Sequence, residues 1–169
     1  MKIIALILAA ASTVGFGLTY LKSFREKLAA TKSVIEFLRG INRALTVEPV
    51  PMQEMFQSMA ERSSGRECEI FRHISKDLDL LGEKSFYTIW CDNIALFYPE
   101  LLQNEKNELN NIGASLGICP LDMQIKHISD CEVFFTEALQ RDMTRYPQIK
   151  KLSIGLSSAA AAAIIIVFI

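Results

Sequence analysis

The two ends of the chain constrain its structure most, because both are apolar and carry no charge. Residues 3–21 and 152–169 contain no Asp, Glu, Lys, Arg or His. A helix of about 20 residues spans about 30 Å, which is the thickness of a bilayer's hydrocarbon core. In a soluble protein, a terminal helix that is apolar on every face would need protein all around it. We therefore expect transmembrane helices over residues 1–21 and 152–169, with a helical domain over 22–151.

Basic residues flank both apolar segments on the side of the central domain. They are Lys22, Arg25, Lys27 and Lys32 after the first segment, and Arg141, Arg145, Lys150 and Lys151 before the second. Because basic residues beside membrane helices favour the cytoplasmic side, we expect a cell-membrane protein with residues 22–151 in the cytoplasm. The alternative for the first segment is a cleaved signal peptide with Ala9-Ala10-Ala11 as its small-residue site. Cleavage would export the central domain and place both basic clusters on the outer side.

Small residues recur at a spacing of four within both apolar segments. They are Ala11 and Gly15 in the first segment, and Gly155, Ala159 and Ala163 in the second. Small side chains let helix backbones approach closely in lipid. The pattern predicts that the two segments pack as a hairpin or against other membrane subunits, a homo-oligomer included. A second interpretation is that alanine is simply tolerated in the membrane.

The central segment has the pattern of an all-α bundle, with about five to six helices and no alternation typical of strands. Apolar residues in heptad spacing from Phe24 to Leu45 predict a long helix that continues directly from the first apolar segment. Shorter helices are expected from Pro51, over about 68–81, between Ser85 and Pro99, and over about 99–116. Helical spacing places Leu78 and Leu81 on the same apolar side of the helix over 68–81. A last helix follows Pro120, with Leu121 as the first residue of its heptad-spaced apolar side, and we expect Pro147 to bend or break it.

The sequence offers few groups for catalysis. It has no phosphate-binding loop, nucleophile elbow or HExxH motif. Neither His73 nor His127 has a second histidine at metal-ligand spacing, and Cys68, Cys91, Cys119 and Cys131 form no CxxC pair. The net charge of -1 gives no basic surface for nucleic acid. We therefore predict a membrane-anchored interaction protein that is not an enzyme and has no cofactor, metal or nucleic-acid site.

A set of short motifs is ordered along almost the whole chain. They are Val50-Pro51-Met52, Ala60-Glu61-Arg62, Trp90, the run from Ile112 to Gly117, and Gln124 with Lys126, His127 and Ile128. In this order they resemble the stage III sporulation protein AB family of endospore-forming bacteria. Where we expect a Ser-Asp pair in that family, this chain has Cys119-Pro120, with Asp122 shifted by two positions. Proline still suits a helix start, so the expected fold is unchanged, but a partner contact made by the missing pair would be altered.

The resemblance implies a part in the channel-like complex that assembles between mother cell and forespore during engulfment. It also implies a domain similar to the helical domain of type II secretion F platform proteins. The implied partners are a cytoplasmic secretion-type ATPase and other membrane subunits, at the mother-cell (outer forespore) membrane. The residues that we expect at partner contacts are Trp90, Leu116, Gly117, Gln124 and His127. Alternative functions are an unrelated membrane-anchored helical adaptor or chaperone, and an exported helical protein.

Overall fold

The computed structural model describes the backbone of residues 2–47 and 50–168, and the side chains of residues 18–47, 50–153 and 155. Within these ranges the chain is all-α, as predicted, with six α-helices, a short 3₁₀ helix over Leu78–Leu80 and no β-strand. The α-helices are α1 (Lys2–Val47), α2 (Met52–Arg62), α3 (Arg66–Asp77), α4 (Phe86–Phe97), α5 (Gln103–Ser115) and α6 (Leu121–Phe168).

The first and last helices are much longer than the other four. α1 has 46 residues and α6 has 48, so the predicted continuity of the first apolar segment with the following helix is confirmed. Pro147 lies inside α6, which runs through it without interruption. A break at Pro147 is therefore contradicted, whereas a bend there stays a prediction. A proline removes one backbone donor, and here the turns on both sides remain helical.

Most side chains of the two predicted transmembrane segments lie outside the described residues. Among the residues that are described, no helix has a stretch long and apolar enough to cross a membrane. Of the small residues at spacing four, Ala11, Gly15, Ala159 and Ala163 lie outside that set. Gly155 is exposed, and a Cβ added to it would meet no described heavy atom within 4 Å.

The chain divides into two compact units. The central unit is Ala29–Leu139, and the terminal unit combines Met1–Leu28 with Gln140–Ile169. The helices α2 to α5 lie wholly within the central unit, whereas α1 and α6 contribute to both units. The groups that bear on function are therefore considered separately for each unit.

An aromatic cluster fills the core of the central unit. Phe37 of α1 stacks on Phe71 of α3 at a centroid distance of 4.9 Å and lies 5.4 Å from the ring of Trp90. All three side chains are fully buried. Val34 and Ile41 are buried on the same side of α1, at the spacing of three to four residues that keeps side chains on one helix face. The predicted apolar face of α1 is therefore confirmed.

Polar side chains fix the pairing of α1 with α6 in the central unit. Arg39 Nε donates to Glu132 Oε1 at 2.7 Å, and Asn42 Nδ2 donates to Ser129 Oγ at 3.2 Å. Moving forward along α1 thus corresponds to moving back along α6, so the two helices run antiparallel. The four helices that lie between α1 and α6 along the chain, α2 to α5, complete the bundle.

Two helix boundaries differ from the predictions. The helical chain after α3 ends at Leu80, and Leu81 has an extended backbone with ψ of 123°. Leu81 is therefore 53% exposed instead of packing beside Leu78 as its spacing predicted. α5 begins later than predicted, at Gln103, where the Glu105 carboxylate accepts a hydrogen bond from the backbone N–H of Leu102 at 2.8 Å.

Candidate functional site

The turn between α5 and α6 contains three of the predicted interaction residues. Leu116 ends α5 as a buried residue, and Gly117 has a φ of 76°, a conformation that favours glycine. The amide of Gln124 closes the turn, because its Oε1 accepts from Gly117 N–H at 3.3 Å and its Nε2 donates to the carbonyl of Cys119. One side chain thus holds both sides of the turn.

Trp90 lies at a close contact between α4 and α5. Its indole Nε1 donates to the carbonyl of Leu109 at 2.8 Å, and the side chain is fully buried. Gly113 faces the indole, and a Cβ added there would lie only 2.4 Å from Trp90 Cδ1. Because two non-bonded carbon atoms cannot lie so close together, only glycine fits opposite this tryptophan without a shift of the neighbouring atoms.

The five predicted interaction residues therefore have different positions. Trp90 and Leu116 belong to the core, Gly117 and Gln124 shape the α5–α6 turn, and His127 is half-buried on α6. They build and orient one region of the central unit, but they do not converge on one accessible site. A direct contact of any of them with a partner stays a prediction.

Three exposed apolar side chains lie at the α5–α6 turn, and the sequence did not predict their exposure. Ile118 is 81% exposed, and Leu121 and Met123 are 44% and 48% exposed. We call these three side chains the apolar turn patch. Helical spacing had assigned Leu121 to the core-facing side of α6. Ile118 lies between Gly117 and Cys119-Pro120, in a segment that the sequence predicts as a turn. This position could have indicated its exposure, because a side chain in such a turn does not belong to the buried face of a helix.

A groove of about 420 Å³ separates the C-terminal part of α1 from α2. The buried side chains of Met55 and Met59 form its floor, and the exposed Val47 and Val50 lie at its edge. Arg43 and Arg62 supply the charged groups of its lining, which has no carboxylate among the described residues. We call this feature the arginine groove.

Two titratable groups of the core, the Cys131 thiol and the Tyr98 phenol, are held in their neutral forms. Burial, with a smaller contribution from Glu108, raises the pKa of the Cys131 thiol to about 12. Burial also raises the pKa of Tyr98 well above its usual range, and its hydroxyl shares a hydrogen bond with Ser33 Oγ at 3.2 Å. Reactive cysteines have lowered pKa values, so Cys131 has the character of a packing residue.

No group of three or more His, Cys, Asp or Glu side chains within the described part of the chain is arranged to hold a metal ion. His73 instead packs edge-on against Phe97, with ring centroids 4.9 Å apart. The ring of His73 therefore has an aromatic packing partner.

In the terminal unit, α1 and α6 are joined by an ion pair and a ring stack. Lys27 Nζ lies 3.0 Å from Asp142 Oδ2, and both side chains are less than one-fifth exposed. Phe24 stacks on Tyr146 at a centroid distance of 6.1 Å. Lys27 is one of the basic residues that follow the first apolar segment, so part of that cluster also sets the register of the two helices.

Comparison with known proteins supports the resemblance that the motifs suggested. A sequence profile described as stage III sporulation protein AB matches residues 2–169. The chain belongs to the stage III sporulation protein AB family. This membership confirms the predicted family and implies a role in sporulation. No curated protein and no solved structure matches the chain.

The motifs that led to the stage III sporulation protein AB family meet in space in this member. A Cβ added to Gly117 would lie 3.1 Å from Met52 Cε, so the motif at the start of α2 packs against the α5–α6 turn. Arg62, from the motif that ends α2, lines the arginine groove. The motif ending at Gly117 and the motif beginning at Gln124 therefore flank the apolar turn patch, and the two α2 motifs contribute Val50 and Arg62 to the arginine groove.

Proposed function

We propose that the chain is a non-catalytic membrane platform of the sporulation channel complex and that its central unit docks a cytoplasmic secretion-type ATPase. The observation that carries the docking proposal is the apolar turn patch, with Ile118 at 81% exposure. Exposed apolar clusters on otherwise polar domains are typical of interaction sites. The hydrogen bonds of Gln124 hold this turn in one conformation, which lowers the cost of ordering it on binding.

The two apolar ends place the domain at the mother-cell membrane in this proposal. Residues 1–21 and 152–169 cross the bilayer, and the basic residues beside them keep the central unit on the cytoplasmic side. The small residues at spacing four permit close helix packing, between the two spans or with other membrane subunits of the complex. The Lys27–Asp142 and Phe24–Tyr146 contacts support a close antiparallel pairing of α1 and α6 directly beside these spans.

The energy for transport or assembly comes from the ATPase in this proposal. The chain has no phosphate-binding loop, and the described core holds its thiol and phenol groups neutral. Its contribution is to position partners at the membrane. ATP hydrolysis by the purified chain would contradict this division of roles.

Co-purification from sporulating cells tests the docking surface. We expect the wild-type chain to recover a secretion-type ATPase, and the double variant Ile118→Asp/Met123→Asp to lose most of that recovery. Asn111→Asp, at an exposed position of α5, is the matched control and should retain it. Equal recovery with all three chains would contradict docking at the apolar turn patch. Recovery of other clients without an ATPase would favour the adaptor or chaperone alternative.

A further inference from the structure

A short acidic turn begins within the 3₁₀ helix of the central unit and continues toward α4. It consists of Asp79, Leu80, Leu81, Gly82 and Glu83. Leu80 and Leu81 are 39% and 53% exposed. Gly82 has a φ of 115°, and a Cβ added there would meet no described atom within 4 Å. The acidic turn is therefore convex, with two leucines between two carboxylates.

Hydrogen bonds hold the acidic turn in shape. The carbonyl of Leu80 accepts from the backbone N–H groups of Glu83 and Lys84, both at 3.0 Å. Gln53 Nε2 donates to Asp79 Oδ1 at 2.7 Å, which ties the turn to α2. The neighbouring Lys84 pairs with Asp92 at 3.1 Å. A turn that is already ordered loses little conformational entropy on binding.

The arginine groove has the complementary features. It is concave and has an apolar floor, and neither Arg43 nor Arg62 forms an ion pair with a described residue. The Arg43 Nε donates to the carbonyl of Arg39 at 3.2 Å, which leaves its terminal N–H groups for another acceptor. Guanidinium groups match carboxylates in geometry as well as in charge.

We propose that the acidic turn of one copy of this chain docks in the arginine groove of the next copy. Asp79 and Glu83 approach the two arginines, and the exposed leucines cover the apolar side chains of the groove. Charge and shape both match, since the groove lining has no carboxylate among the described residues, and Lys84, which directly follows the turn, is already paired. Because the two surfaces differ, the contact is head to tail, and repeating it generates a ring or a filament.

This contact uses neither the apolar turn patch nor the ATPase, so it stands or fails independently of the proposed docking function. It also shares no residue with that patch, so each copy keeps one patch. A head-to-tail assembly would thus present several docking patches to one multimeric partner.

Charge reversal on the two surfaces tests the proposal with the full-length chain purified in detergent. Sedimentation velocity should show concentration-dependent association of the wild type. Arg62→Glu and Glu83→Arg should each weaken it about tenfold, because each turns an exposed attraction into a repulsion. An equimolar mixture of the two variants should associate again, because the intact groove of one receives the intact turn of the other.

Two further variants separate this contact from unfolding and from general charge effects. Leu81→Ser should weaken association without changing the emission of the buried Trp90, which reports the core. Glu137→Arg, an exposed charge reversal on α6, should associate like the wild type. The proposal is overturned if the wild type stays monomeric, if the single reversals associate normally, or if their mixture does not recover.

Discussion

The central and terminal units are stabilised by different kinds of contact. In the central unit, Phe37 lies 4.9 Å from Phe71 and 5.4 Å from Trp90, and no side chain of this cluster is exposed. In the described part of the terminal unit, α1 and α6 meet through the Lys27–Asp142 ion pair and the Phe24–Tyr146 stack. Burial of an aromatic side chain contributes more to stability than a partly exposed ion pair. The central unit therefore carries most of the folding free energy that these residues supply, while the terminal contacts set a register.

Replacing one phenylalanine in each unit should give the largest difference. Phe37→Ala should lower the free energy of unfolding by about 3–5 kcal/mol, because it leaves a cavity in a dry core. Phe24→Ala removes a half-buried ring and should cost only about 1 kcal/mol. Urea unfolding in detergent, followed by circular dichroism and by emission of the single Trp90, measures both. Similar losses would mean that the two units do not differ as described.

Gly113→Ala should destabilise the central unit by about 1–3 kcal/mol through overpacking. The added Cβ would lie 2.4 Å from Trp90 Cδ1, which outweighs the gain of about 1 kcal/mol that alanine brings to a helix interior. The neighbouring Ala114 is exposed, so Ala114→Ser is a control that should change stability by no more than about 0.5 kcal/mol. A thermal melt that shows Gly113→Ala to be stabilising would refute the close α4–α5 contact.

The Lys27–Asp142 ion pair of the terminal unit should contribute less to the free energy of unfolding than the aromatic core does, but more than an exposed ion pair. Asp142→Ala should cost about 1–2 kcal/mol, because Lys27 keeps a mostly buried charge without this carboxylate. Asp92→Ala, which breaks the exposed Lys84–Asp92 pair, should cost at most about 0.5 kcal/mol. Hydrogen exchange of the segments around residues 27 and 142 reads out the local effect. The charge swap Lys27→Asp/Asp142→Lys should restore protection there.

At neutral pH the smallest effect is expected from the buried thiol, because its contribution to stability changes only as the solution becomes alkaline. In the unfolded chain a cysteine ionises near its ordinary pKa of about 8.5, whereas burial raises the pKa of Cys131 to about 12. Its contribution to stability is therefore complete below the unfolded pKa and is lost as pH rises toward the folded value. The wild type should lose more stability than Cys131→Ala between pH 8 and pH 10. Parallel pH dependences of the two chains would show that the thiol is not shielded.

The sequence predicts the helices well wherever a long apolar face defines them. The spacing around Phe37 placed the core side of α1, and Ser85 marked the start of α4, where its hydroxyl accepts from Thr88 N–H at 3.1 Å. Leu81 and Leu121 were misplaced for a shared reason. Both stand at a helix end, and helical periodicity assigns a face only while the backbone stays helical.

The candidate surfaces were less predictable than the helices. The motifs identified Trp90, Gly117 and Gln124, but they did not predict the structural role of each residue. Such roles arise only in the folded chain, and Gly113, for example, is required only because α5 packs closely on α4 there. The arginine groove arises from the distance between two helices, which no local pattern in the sequence encodes. The only sequence signal for the apolar turn patch was an isoleucine, Ile118, in a segment predicted to be a turn between two helices.

The sidedness of the central unit tests the membrane platform most directly. Asn111→Cys places a thiol at an exposed position of α5, and a membrane-impermeant maleimide is applied to intact and to permeabilised cells, with the wild-type chain as background. The proposed topology predicts labelling above background only after permeabilisation, and an intact mass that retains residues 1–21. Labelling in intact cells, or loss of the N-terminal segment, would contradict a cytoplasmic domain held by two membrane spans.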